Sequence, residues 1–180
     1  MLIGLTGTMA SGKGTVAEYL KEKGFEGYVF SDVIKEEARN RGLELTRKNL
    51  QKVGDLLRIE SNNEGVLAKK LLEKIKTDKA FVDGARNADE ILELRKRDDF
   101  KLIAVDASQK IRYERLKTRN RPGDPETFGE FKKSDDLENK KLGGGQEINK
   151  CMDLADYKID NNGTQKKLLE KVDKILLLFK

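Results

Sequence analysis

The residues best suited to chemistry lie in one glycine-rich segment near the start of the chain: Gly7, Thr8, Met9, Ala10, Ser11, Gly12, Lys13, Gly14 and Thr15. An apolar stretch over 2–5 precedes the segment and an amphipathic pattern follows it, which predicts a strand, a tight turn and a helix. Glycine lets the backbone curl so that successive N–H groups face one anion, and the helix adds the positive end of its dipole. Lys13 can then reach the β- and γ-phosphates, while Ser11 or Thr15 approaches phosphate or magnesium. The segment predicts a loop that binds a nucleoside triphosphate.

One departure from the usual form of this motif lies directly after the lysine. A serine or threonine normally follows the lysine, whereas here Gly14 follows Lys13 and the hydroxyl comes one residue later, on Thr15. An ordinary glycine-rich turn is the alternative interpretation, but the flanking strand and helix patterns favour phosphate binding.

An acid and an arginine follow a later buried strand pattern. The apolar run over 80–82 ends at Asp83, and Arg86 comes three residues later. In an open α/β sheet, ligands bind at the carboxyl ends of the strands, so Asp83 is a candidate to hold magnesium, partly through water. The planar guanidinium of Arg86 suits a phosphate group. The alternatives are an acid that caps the following turn and an arginine in a surface ion pair.

Other charged candidates lie on predicted helices. Arg115 and Arg119 are four residues apart, so they share one helix face, where one could stack on a base and the other contact a phosphate. The helices after the second strand carry further candidates for binding an acceptor: Asp32, Lys35, Arg47 and Arg58. For Arg115 and Arg119 the alternative interpretation is a solvated helix face, and for Asp32 and Lys35 it is an acid that caps the helix N-terminus beside a surface lysine.

Strand patterns alternate with helical patterns along the chain, which predicts a parallel sheet covered by helices on both faces. Strands are predicted over 2–5, 28–30, 80–83, 102–106 and 157–159. Helix N-termini are predicted from the capping residues Ser31-Asp32, Thr46, Asn87, Ser108 and Thr164. The helical stretch over about 31–77 is longer than a crossover needs, and we interpret it as an insertion that binds the acceptor. Residues 120–145 contain both prolines and few aliphatic residues, which predicts a lid or loop.

The composition limits the class of function. The 180 residues fit a single domain over 1–180. The chain has no histidine, which excludes histidine-dependent triads and metal sites, and its single cysteine, Cys151, excludes an intrachain disulfide and fits a reducing compartment. No apolar run is long enough to span a membrane. The net charge of +5 is spread over interleaved lysines and acids, so we do not expect a nucleic-acid partner. From the single cysteine and the lack of a signal-peptide or membrane-span pattern, we expect a cytoplasmic protein without a membrane partner.

Segments of this chain resemble, in the same order, those of nucleoside monophosphate kinases similar to adenylate kinase: 7–15, 31–35, 83–86 and 113–119. Dephospho-CoA kinase shares this architecture. The likeness covers essentially the whole chain and is closest to a mostly archaeal group described as adenylate kinase-related or dephospho-CoA kinase-like, through 46–50, 119–125, 155–157 and 162–164. The resemblance implies a three-layer α/β fold of the P-loop NTPase type, with five parallel strands in the order 2-3-1-4-5.

The resemblance also implies the catalytic residues. Lys13 would stabilise the transferred phosphoryl group, Arg86 would hold the phosphate of the acceptor, and Arg119 would contact phosphates. Asp83 would order Mg²⁺, and ATP would be the phosphoryl donor.

For the donor base and the acceptor, the resemblance implies a second set of contacts. Arg115 would flank the base, and Asn162 and Gly163 lie where backbone groups meet the donor base in this family. Lys35 sits where adenylate kinases place an arginine on the acceptor phosphate. No arginine occurs after Arg121, although related kinases bring arginines from the lid helix.

The leading hypothesis is therefore Mg²⁺-assisted transfer of the γ-phosphoryl group of ATP to a nucleoside monophosphate or a related small nucleotide-like acceptor. Three alternatives stay open: an adenine-nucleotide-binding regulatory protein with little or no turnover, a dephospho-CoA kinase, and an ATPase that acts on nucleic acid. The missing lid arginines favour the first alternative, because an arginine at the transition state contributes about 10³-fold or more to the rate.

Overall fold

The computed structural model describes residues 1–119, 121, 123–139 and 147–179. One sheet lies at the centre of these residues, and its strands are β1 (Leu2–Gly7), β2 (Glu26–Val29), β3 (Ala80–Asp83), β4 (Phe100–Asp106) and β5 (Tyr157–Asp160). The strand order is β2-β3-β1-β4-β5, and each neighbouring pair runs parallel. The predicted α/β fold and strand order are confirmed.

Helices connect and cover the strands. Those in the described residues are α1 (Lys13–Glu22), α2 (Phe30–Asn40), α3 (Arg47–Ser61), α4 (Val66–Lys74), α5 (Ala88–Leu94), α6 (Gln109–Arg119), α7 (Phe128–Asn139), α8 (Ile148–Asp153) and α9 (Gln165–Leu176). The predicted caps Thr46, Asn87 and Thr164 each accept a backbone hydrogen bond from the first turn of their helix. Among the described helices, none combines the length and the apolar character that crossing a membrane requires.

The two faces of the sheet carry separate hydrophobic cores. Side chains alternate along β1, so Leu2 packs on one face with α2, α3, α4, α5 and α8. Ile3 and Leu5 pack on the other face with α1 and α9. The result is three layers, with the helices that follow β2 gathered on one side.

Strand β1 lies in the middle of the sheet and leads directly into the glycine-rich segment. Its register places Leu5 beside Asp83 of β3, and Gly7 beside Val105 of β4. Gly7 has a φ angle of 145°, and a Cβ atom at this position would lie 2.0 Å from the carbonyl oxygen of Val105. Glycine is therefore required for the close approach of the two backbones. This approach starts the turn between the carboxyl ends of β3 and β4.

The second strand ends one residue earlier than the sequence predicts. Strand β2 stops at Val29, which is the N-cap of α2, and Phe30 begins the helix. Ser31 and Asp32 therefore lie in its first turn and do not cap it. The physical reason is burial, because Phe30 packs in the core together with Val33.

Helix α7 occupies part of the segment that composition predicts to be a lid or loop. The Thr127 hydroxyl accepts a hydrogen bond from the N–H group of Glu130, whose carboxylate in turn accepts one from the N–H group of Thr127. This reciprocal pair is a capping box, and its Thr-x-x-Glu pattern is visible in the sequence. Of the predicted lid, residues 120, 122 and 140–145 lie outside the described residues. The short helix α8 was also not predicted.

A buried ion pair attaches α7 to α6. Arg112 donates from Nη1 and Nη2 to the two carboxylate oxygens of Asp135, at 2.6 and 2.7 Å. The Arg112 guanidinium also lies 5.2 Å from the ring centre of Phe131. Burial pushes the pKa of Asp135 upward, but hydrogen bonds from Arg112 and Gln109 outweigh it and hold the pKa below its usual value.

The close approach at Gly7 can be tested with a matched pair of substitutions. Gly7→Ala should lower the free energy of unfolding by about 3 kcal/mol, because the new methyl group meets backbone atoms that cannot move aside. Gly14→Ala is the control: Gly14 is the second residue of α1 and has open space around it, so alanine should raise the free energy of unfolding by about 0.5 kcal/mol. Urea unfolding measures both. Equal effects of the two substitutions would contradict the steric argument.

The Asp135→Asn variant tests the ion pair through the pH dependence of stability. Because the pKa of Asp135 is depressed in the folded chain, its charge stabilises the fold above the pKa of an unfolded aspartate, about 3.9, and this contribution is lost as the pH falls through the folded pKa. We expect the variant to be about 3 kcal/mol less stable than wild type near neutral pH, with the difference shrinking below about pH 4. Urea unfolding at a series of pH values measures this. A difference that is independent of pH would show that the charge of Asp135 is not what stabilises the contact.

Candidate active site

The glycine-rich segment turns sharply between β1 and α1. Three of its residues have positive φ angles: Gly7 at 145°, Ala10 at 58° and Gly12 at 106°. Gly12 is the N-cap of α1 and has no side chain that could cap the helix, whose first turn contains no acidic residue. The N–H groups of this turn and the positive end of the helix dipole therefore suit an anion.

Side chains from three later elements hold the segment from outside. The carbonyl of Ser11 accepts hydrogen bonds from Arg115 Nη1 of α6 at 3.2 Å and from Asn161 Nδ2, just after β5, at 2.8 Å. The hydroxyl of Thr8 donates to Asp106 Oδ1, at the end of β4, at 2.6 Å. Burial lowers the pKa of Arg115. These contacts fix the loop to the carboxyl edge of the sheet.

A cavity of about 880 Å³, here named the loop cavity, borders the segment and α1. Its lining includes residues of the segment, of α1, of α6 and of the start of α9: Ala10, Ser11, Gly12, Lys13, Gly14, Thr15, Glu18, Tyr19, Arg115, Gly163 and Gln165. Most of the predicted ATP-binding residues thus border one space. Arg115 and Gly163, predicted to lie near the donor base, belong to this lining.

A second cavity, of about 1140 Å³ and here named the helix cavity, lies between the ends of β1 and β3 and helices α2, α3 and α5. Its lining includes Gly7, Met9, Ser31, Ile34, Arg47, Gln51, Asp55, Arg58, Arg86 and Glu90. The helices after β2 therefore provide most of one wall of this cavity.

The two cavities meet at a small group of residues, here named the junction. Lys13, Asp83 and Arg119 line both cavities, together with Ala10. The three charged residues come from the start of α1, the end of β3 and the end of α6. The fold thus brings together residues that are far apart in the sequence, at the point where one cavity opens to the other.

The chemistry of Asp83 fits a hard cation. Its Oδ1 atom is buried and accepts no hydrogen bond from a described residue. Thr15 provides a hydroxyl on the wall of the loop cavity that Asp83 also lines. Oxygen ligands from one or two protein groups, completed by phosphate and water, are the usual environment of Mg²⁺. No cluster of three acidic or thiol ligands exists among the described residues, and a Mg²⁺ site of this kind does not need one.

Arg119 is held at the junction by an acid from the segment after α6. Its Nε and Nη2 atoms donate to the two carboxylate oxygens of Asp124, at 2.8 and 2.7 Å. The hydrogen bond from Arg119 holds the pKa of Asp124 below its usual range. The carboxylate accepts two parallel hydrogen bonds from one edge of the guanidinium, which is a geometry that a phosphate can also adopt.

Arg58 lies in the wall of the helix cavity within a cluster of carboxylates. Its Nη2 atom donates to Glu90 Oε1 at 3.2 Å, and Asp55 and Glu64 lie 3.5 and 3.8 Å from its other nitrogens. Burial raises the pKa of Glu90, although Arg58 and the amides of residues 86 and 87 oppose this shift. Arg58 is predicted to bind the acceptor molecule, but its positive charge is already neutralised by these carboxylates of the chain.

Other predicted residues lie away from the two cavities. Lys35 and Asp32 form an exposed ion pair with each other at 2.7 Å, and neither lines the helix cavity. From the first turn of α2, Ser31 lines that cavity instead. Asn162 accepts a hydrogen bond through Oδ1 from the N–H group of Ser108. Its neighbour Asn161 contacts the glycine-rich segment instead.

Several residues of the site were missed by sequence reasoning. Asn161, Asp106 and Arg112 all contact the segment, through Ser11, Thr8 and Met9 respectively. Asp106 follows a predicted strand just as Asp83 does, so the same argument about strand ends could have found it. Arg112 is one turn from Arg115 on the same helix, and no feature of the sequence separates it from a solvated arginine.

The fold is shared with solved structures that include shikimate kinases. The chain aligns with the TT1252 protein of Thermus thermophilus at a TM-score of 0.65 and 17% identity, over 100% of this chain and 98% of that one. A shikimate kinase of Bacteroides thetaiotaomicron aligns at a TM-score of 0.60 and 12% identity, over 98% of each chain. A shikimate kinase of Aquifex aeolicus aligns at 0.54 and 20% identity, over 98% and 96% of the two chains. These similarities show a kinase-like fold.

Sequence comparison gives the family. A family model described as an AAA domain matches residues 3–138. A UPF0200 protein of Hyperthermus butylicus is 37% identical over 164 residues, which are 89% of this chain and 85% of that protein. A UPF0200/UPF0201 protein of Archaeoglobus fulgidus is 36% identical over 98% of this chain, which spans only 55% of that longer protein. The chain therefore contains a P-loop domain of the AAA type and belongs to the UPF0200 family.

Proposed function

We propose that this chain transfers the γ-phosphoryl group of ATP to a small nucleotide-like acceptor, with a nucleoside monophosphate as the first candidate. The observation that carries the proposal is the junction, where Lys13, Asp83 and Arg119 line both cavities. Phosphoryl transfer requires donor and acceptor in adjacent sites, with cations at the point of transfer and little covalent chemistry from the protein. A protein that only binds a nucleotide has no need of a second cavity at this position.

In this proposal, the loop cavity holds ATP. The N–H groups of the segment and of the start of α1 bind its phosphates, and Lys13 neutralises charge on the transferred group. Arg115, fixed by two backbone carbonyls, flanks the base. When bound, Mg²⁺ would neutralise charge on the phosphates, and Asp83 and Thr15 are the residues that would hold it, partly through water.

The helix cavity holds the acceptor. Arg86 lines this cavity just after β3, and its planar guanidinium matches a phosphate group. The resemblance of residues 83–86 to nucleoside monophosphate kinases supports a nucleoside monophosphate. The likeness of the whole chain to a group described as adenylate kinase-related or dephospho-CoA kinase-like makes dephospho-CoA an alternative acceptor. Shikimate belongs in the same test, because the fold neighbours include shikimate kinases.

A second candidate function is the binding of adenine nucleotides with little turnover. The sequence has no arginine after Arg121, and the outer face of α7 presents Lys132 and Lys133, which are exposed. A missing arginine at the transition state lowers the rate of phosphoryl transfer without preventing nucleotide binding.

The Lys13→Ala variant tests the proposed transfer. ATP consumption with Mg²⁺ is measured against AMP, CMP, UMP, GMP, their deoxy forms, dephospho-CoA and shikimate. We expect turnover with one class of acceptor, reduced about 10²-fold or more in the variant, because Lys13 lies at the junction. Lys21→Ala is the control, since Lys21 lies on the same helix but forms an exposed pair with Glu18.

The outcomes separate the two candidate functions. ATP binding without turnover on any acceptor would support the regulatory function and overturn the kinase. Absence of ATP binding would overturn both functions.

A second pair of variants tests the acceptor site. Arg86→Met should raise the KM for the acceptor about tenfold and leave the KM for ATP within about twofold, because it removes a charged hydrogen-bond donor from the helix cavity. Lys35→Met should change neither KM by more than about twofold, since Lys35 pairs with Asp32 outside that cavity. Steady-state kinetics with the active acceptor measure both. An equal rise in acceptor KM for the two variants would contradict this location and would indicate that the acceptor binds near the first turns of α2.

A further inference from the structure

We propose that Arg112 is a positioning residue that sets the phosphate-binding loop for anion binding, and that Asp135 of α7 holds Arg112 in place for this purpose. The inference rests on the proposed function, because it takes the loop to bind nucleotide phosphates. It adds a device that the motif does not contain: a contact through which α7 controls the shape of the loop.

The physical basis is the planarity of the peptide bond. In a trans peptide, the C=O of one residue and the N–H of the next point in opposite directions. When a carbonyl accepts a hydrogen bond from a group outside a loop, the N–H group of the next residue therefore points toward the inside of the loop. In this chain, side chains outside the loop hold two carbonyls of the segment, those of Met9 and Ser11, on either side of Ala10.

Arg112 fastens the first of these carbonyls. Its Nη1 atom donates to the Met9 carbonyl at 3.2 Å, which orients the N–H group of Ala10 away from α6. Arg115 and Asn161 do the same for Ser11 and thereby orient the N–H group of Gly12. The loop needs such support, because Ala10 has a φ angle of 58°, which is unfavourable for any residue with a side chain.

The remaining donors of Arg112 fix the position of its guanidinium. Nε donates to the Ala107 carbonyl at 2.8 Å, just after β4. Nη1 and Nη2 donate to the carboxylate of Asp135, and both side chains are less than 5% exposed. Asp106 Oδ1 lies farther away, 3.9 Å from Nε, so Asp135 provides the two close charged contacts of Arg112. Removing the matching acid of a buried arginine is strongly unfavourable, and we therefore expect the guanidinium to leave its position beside Met9 when Asp135 is replaced. The docking of α7 is thereby coupled to the orientation of the loop amides.

The Arg112→Met variant, with wild type and a control beside it, tests the inference. A fluorescent ATP analogue is bound to each folded protein and displaced by ATP or by adenosine. We expect the affinity for ATP to fall about tenfold in Arg112→Met, because a misoriented amide no longer meets a phosphate oxygen. The affinity for adenosine should stay within about twofold, since the base contacts lie elsewhere.

Arg95→Met is the matched control. Arg95 also donates to an aspartate, Asp156, and to a backbone carbonyl, that of Leu154, but these partners precede β5, whereas the loop contact Asn161 follows it. The affinity of the Arg95→Met variant for ATP should equal that of wild type. A loss in Arg112→Met that is equal for ATP and adenosine, or matched by Arg95→Met, would mean a general structural effect and would overturn the positioning role.

Two conservative variants keep the test decisive if Arg112→Met does not fold. Arg112→Lys retains the charge but not the planar fork, and Asp135→Asn retains the shape but not the charge. Each variant should lower the affinity for ATP about tenfold. The double variant, Arg112→Lys with Asp135→Asn, should lower the affinity only slightly further, because both substitutions act through one contact. Fully additive losses would show that Asp135 does not act through Arg112. Failure of wild type to bind the ATP analogue at all would overturn the proposed function, separately from this inference.

Discussion

The close approach of the β1 and β4 backbones at Gly7 is the constraint on which the site depends. Because no Cβ atom fits between Gly7 and the Val105 carbonyl, the chain leaves the sheet at one defined point. The turn that follows then lies between the last residues of β3 and β4, Asp83 and Asp106. For this reason Asp83 lines the two cavities and Asp106 accepts a hydrogen bond from Thr8 of the turn. The N-terminus of α1 is directed at the same edge of the sheet.

Charge around this edge is organised in matched groups. Arg112 with Asp135, Arg119 with Asp124, and Arg58 with Glu90 each combine a guanidinium with a carboxylate. The first pair is buried and the second lies on the cavity wall, so their consequences differ. A buried pair fixes structure, since breaking it leaves an uncompensated charge, whereas a pair at the cavity wall can exchange its carboxylate for a phosphate. Helix α7 and the segment before it thus contribute both rigidity and a replaceable anion.

Local patterns predicted the parallel sheet and the glycine-rich turn, whereas the strand order was expected only from the resemblance to nucleoside monophosphate kinases. Glycine spacing, apolar runs and capping residues act over a few positions, and Thr46, Asn87 and Thr164 cap helices as expected. Helix α7 was missed because prolines and glycines outweighed a capping box that was present in the sequence. The roles of Arg112 and Asn161 could not be predicted, since each depends on a tertiary contact with the loop made more than a hundred residues away. For Lys35 the sequence suggested a role in binding the acceptor, but its side chain pairs with Asp32 and does not line the helix cavity.

A crystal structure with Mg²⁺ and a non-hydrolysable ATP analogue would test the central claim most directly. The account predicts the triphosphate within the phosphate-binding loop and the base beside Arg115. It also predicts the terminal phosphate at the junction of Lys13, Asp83 and Arg119, directed into the helix cavity. A terminal phosphate that points away from the helix cavity, or an analogue bound outside the loop, would contradict phosphoryl transfer between the two cavities.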